Sequence, residues 1–144
     1  MNEKLSDWND CLESNSSINV SKDIQRAKSL IETSSERIKF TNKELNENTA
    51  NFIFEDYYTS ILEILEAITL LEGYKVINHV CLGFYLRDIL GREELCRIFD
   101  DLRFKRNSLV YYGKRMEFEI AKKAVEDAKI LMAELNSLIK KYKL

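Results

Sequence analysis

Apolar residues recur along most of this chain at alternating steps of three and four. Ile24, Ala27, Ile31, Ser34, Ile38, Thr41 and Leu45 keep that spacing, which lines one face of a helix. Ser21 is the expected N-cap. Ser34 and Thr41 weaken the stripe in its middle, and NENTAN reads as a break. A second helix is predicted over residues 50–72, with Phe54, Tyr57, Ile61, Leu65, Ile68 and Leu71 as its core stripe. Phe52, Ile53, Tyr58, Leu62 and Ile64 widen that face, which predicts a central helix or one that also meets a second subunit. Gly73 is a good stop.

A third helix is predicted over residues 76–90, with Val80, Phe84, Leu86, Ile89 and Leu90 inward and Gly91 closing it. A short fourth segment, residues 92–103, carries Leu95, Ile98, Phe99 and Leu102. The last helix keeps the cleanest spacing, through Phe118, Ala121, Val125, Ala128, Met132, Leu135, Ile139 and Tyr142. Its small residues Ala121 and Ala128 allow a neighbouring helix to approach closely. Residues 1–19 are rich in Asn, Ser and acids. They read either as a short helix docking Leu5, Trp8 and Leu12 or as a frayed end. There is no period-two alternation and no hairpin signal. The expected fold is all-α, an antiparallel four- to five-helix up-and-down bundle with short connections. It forms a single domain over residues 20–144, after the N-terminal segment.

Composition agrees. The chain has 144 residues, no proline and four glycines, which suits one domain of long helices with a sizeable core. A net charge of −2 excludes a uniformly basic nucleic-acid binder, so any such function must rest on a local patch. Cys11, Cys81 and Cys96 are an odd, scattered set. They read as reduced thiols of a cytosolic protein and not as a disulfide framework. MNEKLSDWND lacks the apolar run of a secretory signal. Glu55, Asp56, Glu63 and Glu66 interrupt the most apolar stretch, so no membrane span is expected. A soluble, cytoplasmic protein follows.

Candidate chemistry is sparse. Phosphate-loop, dinucleotide, CxxC and HExxH motifs are absent, and neither a metal nor a cofactor is predicted. His79 and Cys81 are two apart, which points them to different sides of a helix. His79 is the only histidine; it reads as a polar residue near a helix start or as a general base. Asp100–Asp101 and Glu93–Glu94 read as solvated surface. Glu55 and Asp56 lie inside an apolar helix, and one of them is expected to face the basic stretch described next.

That stretch is FKRNSLVYYGKR with the arginine before it. Arg103, Lys105, Arg106, Lys114 and Arg115 are basic, and no acid lies among them. Arginine and lysine attract phosphate, Asn107 and Ser108 add neutral donors, and Tyr111 and Tyr112 offer rings for stacking on bases. From composition the stretch is either a binding patch or a solvated joint between helices whose tyrosines finish the core. Gly113 marks a bend.

The order of three regions resembles the HEPN family of small helical-bundle proteins. The regions are IQRAKSLIETS, then YYTSILEILEAITLLEGYKVINHVCLGFYL, then LRFKRNSLVYYG followed by AKKAVEDAKILMAEL. Together they cover roughly residues 22–140. Many members are metal-independent ribonucleases with an Arg, four to six residues, then His, and their dimers bring two such motifs into one cleft. Carried over, Arg106 is the motif arginine and Asn107 its polar neighbour, while the histidine position falls on Tyr111, Tyr112 or Gly113. A pKa near 6.5 lets histidine serve as base or acid near neutral pH, whereas tyrosine, near 10, is almost wholly protonated. The resemblance therefore implies a homodimer that binds RNA or nucleotide, or a partner, with weak or no catalysis. Arg103, Lys105, Arg106, Tyr112, Lys114 and Arg115 would bind. If the site is catalytic, Arg106, Asn107 and Tyr111 would act. The alternatives are an endoribonuclease, as a toxin paired with a nucleotidyltransferase antitoxin that modifies Tyr111 or Tyr112, and a structural module using the wide apolar helix.

Overall fold

The computed structural model describes residues 4–41 and 43–144; the first three residues of the N-terminal segment lie outside them. The described chain is mostly helical. Helix α1 (Trp8–Glu13) leads into strand β1 (Ser17–Asn19) and helix α2 (Ile24–Phe40). Helix α3 (Ala50–Leu71), strand β2 (Tyr74–Val76) and helix α4 (Val80–Phe84) follow, and α4 runs on into a π-helical turn, Tyr85–Ile89. Helices α5 (Glu93–Tyr111) and α6 (Phe118–Lys140) complete the chain. Among the described residues no helix is long and apolar enough to cross a membrane.

Helix α3 is central because its apolar face is too wide for one neighbour to cover. Phe54, Ile61, Ile64, Leu65 and Ile68 are all buried. α2 runs antiparallel to it, since Ala27 packs with Ala67 and Leu71 while Thr41 meets Asp56. The two serines near the middle of this interface explain the weak stripe. Ser34 Oγ donates to the Ser60 carbonyl at 3.0 Å, and Ser60 Oγ donates back to the Ser34 carbonyl at 3.3 Å. Small polar residues let the backbones close in, and each hydroxyl finds a partner. Arg37 adds a forked pair to Glu63, with both N–O distances 3.1 Å. On the other side α6 runs parallel to α3. Asn51 exchanges two hydrogen bonds with the Met116 backbone (3.0 and 3.1 Å) at one end, and Tyr142 Oη donates to Glu72 (2.8 Å) at the other. Ala121, Ala124 and Ala128 are fully buried along this seam. α5 returns antiparallel to α6, with Arg92 just before α5 bonded to Glu134 late in α6 at 3.0 Å.

Several details correct the sequence-based expectations. Asp23, not Ser21, caps α2, its carboxylate accepting from the Arg26 amide. Ile89 faces solvent, because the π-helical turn widens the helix by one residue and rotates the following positions. β1 and β2 form a two-stranded antiparallel sheet with Ser17 opposite Val76 and Asn19 opposite Tyr74. Three-residue strands are too short to show alternation. Cys11 and Cys81 are joined in a disulfide, and only Cys96 is free. The pairing was invisible because 70 residues separate the partners, and only the docking of α1 on α4 brings them together. Trp8 is buried against the edges of Tyr74 and Tyr85, and its amide donates to Asp88.

Candidate functional site

The basic stretch is a joint only in its last part, where residues 112–115 connect α5 to α6. Residues 103–111 form the C-terminal half of α5. The helix ends at Tyr111 with Tyr112 as its C-cap, and Gly113 takes φ +61°, a left-handed conformation that favours glycine. At about 100° per residue, Arg103, Arg106, Asn107 and Tyr111 spread over a face about 140° wide. Arg106 and Tyr111 mark its edges, which long side chains can still bridge.

This face forms one wall of a cleft of about 490 Å³. Ile77, Asn78, His79 and Val80 form the opposite wall. That wall is held in place from outside the cleft. The amides of Ile77 and Asn78 both donate to the Ser16 carbonyl, at 2.8 and 3.1 Å. The disulfide fastens α4 two residues beyond His79. Gly83 lets α4 sit close on α5, where an added Cβ would stand 3.0 Å from an Asp100 carboxylate oxygen.

His79 occupies the N-cap of α4 without capping it by its side chain. Burial, and after it the charges of Arg106 and Arg103, hold its imidazole below the ordinary range. Glu66 stands 3.8 Å from Nε2, too far for a hydrogen bond, and burial pushes its carboxyl upward. Both groups are therefore biased toward their neutral forms. Arg103 is only loosely matched, with Nε 3.7 Å from Asp100 and no hydrogen-bond partner. The Arg106 guanidinium lies over the Tyr58 ring at 5.8 Å. Tyr58 is buried beneath, and desolvation pushes its phenol up to about 12. Tyr111 is 71% exposed, so its ring is free for stacking. The cleft thus offers two guanidiniums, two side-chain amides, a neutral imidazole and an open ring.

The remaining residues of the stretch lie elsewhere. Lys105 pairs with Asp101 on the preceding turn, Arg115 covers the Phe52 ring at 5.6 Å, and Lys114 and Tyr112 are exposed beyond the end of α5. Of Glu55 and Asp56, one of which was expected to face the basic stretch, Asp56 instead accepts from Thr41 Oγ1 at 2.6 Å on the α2 side. Asn78 and His79 were not grouped with Arg106, because local sequence carries no signal for a contact made between distant segments. Among the described residues no group of three or more metal-type side chains comes together. No family model, no curated protein and no solved structure matches the chain.

Proposed function

We propose that this chain is a HEPN-like helical-bundle protein that binds single-stranded RNA, or a nucleotide, in the cleft between α5 and the β2–α4 connection. The observation that carries the reading is the convergence of Arg103, Arg106, Asn107 and Tyr111 with Asn78 and His79 on one cavity. Guanidiniums bind phosphate through charge and a planar fork. Amides of Asn78 and Asn107 can both donate to and accept from base edges. An exposed tyrosine ring stacks on unpaired bases without much sequence preference. The cavity falls in the range of small-ligand sites, about 300–1,000 Å³. The test is a titration with labelled single-stranded RNA at several salt concentrations. Affinity that falls steeply with salt and drops in Arg106→Ala supports the reading; salt-independent binding, or none, removes it.

A second reading, a metal-independent endoribonuclease, is favoured by the place of His79. A neutral imidazole near neutral pH is the base that Tyr111 cannot supply. In this reading His79 takes the 2′-hydroxyl proton as O2′ bonds to phosphorus. Arg106 balances the charge of the pentavalent phosphorus. The P–O5′ bond then breaks, and the departing oxygen takes a proton from water. Freshly purified protein would leave 2′,3′-cyclic phosphate ends, and His79→Gln and Arg106→Ala would each abolish them. A homodimer, a cytoplasmic location and a nucleotidyltransferase antitoxin acting on Tyr111 or Tyr112 belong to the same family-based proposal. For the location, the Cys11–Cys81 bond lies fully buried, out of direct reach of small reductants.

A further inference from the structure

Helices α2 and α6 both lie on α3 and touch each other little, so an open groove runs between them. Its two adjoining stretches have volumes of about 600 and 550 Å³ and share Ile31, Ser35, Ile139 and Lys140. The walls match. Ile31, Ser35 and Ile38 of α2 stand at steps of four and three, and Met132, Asn136 and Ile139 of α6 repeat the same steps. Ile64 of α3 forms the floor. Lys28, Lys140 and Lys143, with Lys39 paired to Glu36 at 3.2 Å, ring the opening against one lining acid, Glu32, among the described residues. The groove shares no lining residue with the cleft.

We infer that this groove is the docking site for an amphipathic α-helix of a protein partner, apolar along one stripe and acidic on both flanks. Lys28 to Lys39 spans about 16 Å, or three helical turns. Two walls with apolar, polar and apolar positions in the same order suit a helix presenting side chains at three-and-four steps. Ser35 and Asn136 at the middle require a polar residue there, since a buried polar group needs a hydrogen bond. The charge of the rim selects the flanks. α2 of a second copy carries four basic residues against two acidic and α6 four against four, so neither brings the net negative flanks that the rim selects. A flat lipid surface does not reach a concave floor.

The test uses the full chain and two stapled helical peptides of about 18 residues, roughly 27 Å long. Both carry leucines at three-and-four steps; one is flanked by glutamates, the other by lysines. Fluorescence anisotropy is read on the wild type, on Lys140→Glu/Lys143→Glu, and on Ser35→Trp. Ser35 is exposed, so the last change fills the groove without entering the core. The expected result is about tenfold tighter binding of the acidic peptide, a reversed preference on the charge-swapped chain, and loss of both on Ser35→Trp. Equal affinity for the two peptides, no binding of either, or binding that survives Ser35→Trp overturns the inference. So does self-association of the chain that Ser35→Trp abolishes, which assigns the groove to a second copy. Uptake of oleate without peptide binding assigns it to an acyl chain, with the same consequence.

Discussion

His79 and Arg106 line one cleft from opposite walls, although one begins α4 and the other lies near the end of α5. The imidazole is biased toward its neutral form first by partial burial and then by that guanidinium. A phosphate placed between them reverses the second effect, because an anion favours the imidazolium. Binding of RNA therefore takes up a proton. Affinity should rise as pH falls from 7 toward the lowered pKa of the free protein, and His79→Gln should flatten this profile while leaving the salt dependence. The opposite sign holds for folding. The folded state binds fewer protons than the unfolded chain, so the contribution of His79 to stability is present above its unfolded pKa of about 6.5 and is lost as pH falls through the folded value. Denaturant midpoints against pH, compared with His79→Gln, check that sign.

Arg106 and Lys105 are adjacent and both cationic, yet only Arg106 lines the cleft, while Lys105 is engaged with Asp101. Arg106→Ala should weaken single-stranded RNA binding by about tenfold or more and reduce the salt slope by about 0.7. Lys105→Ala should change affinity by less than about twofold, because an exposed i,i+4 pair contributes little. Equal losses from the two variants would point to a diffuse basic surface instead of a site.

Ser34 is a gap in the α2 stripe by pattern and a buried, reciprocally bonded residue in space. Restoring the stripe should therefore harm the protein. Ser34→Leu is expected to destabilise by about 1–3 kcal/mol through overpacking, and Ser34→Ala by about 1 kcal/mol through the lost hydrogen bond. Urea unfolding of both variants gives the comparison; a stabilised Ser34→Leu contradicts it.

The Cys11–Cys81 bond closes a loop between residues 70 apart. Thiol titration in denaturant should count one free cysteine before reduction and three after it, given the three in the chain. Reduction, or Cys11→Ala/Cys81→Ala, should lower stability by about 2–4 kcal/mol. It should also loosen the wall that carries His79, visible as faster amide exchange at Ile77 and Asn78, whose amides the Ser16 carbonyl holds.

The sequence by itself determined the long helices, since a three-and-four spacing with no proline permits little else. It also narrowed α3 to a central helix or one shared with a second subunit and predicted a close-packed seam on α6, because a wide apolar face and a row of small residues have few ways to be buried. Arg106, Asn107 and Tyr111 stood out locally by charge and ring type. What the tertiary structure alone decided are the pairings between distant segments: Cys11 with Cys81, β1 with β2, Asn51 with the Met116 backbone, and His79 with Arg106. Local periodicity reports which side of a helix is buried. It does not report which segment buries it. The turn before α4 that forms one wall of the cleft is tied to the N-terminal segment by a three-residue strand pair and a disulfide, and neither leaves a periodic trace in the chain.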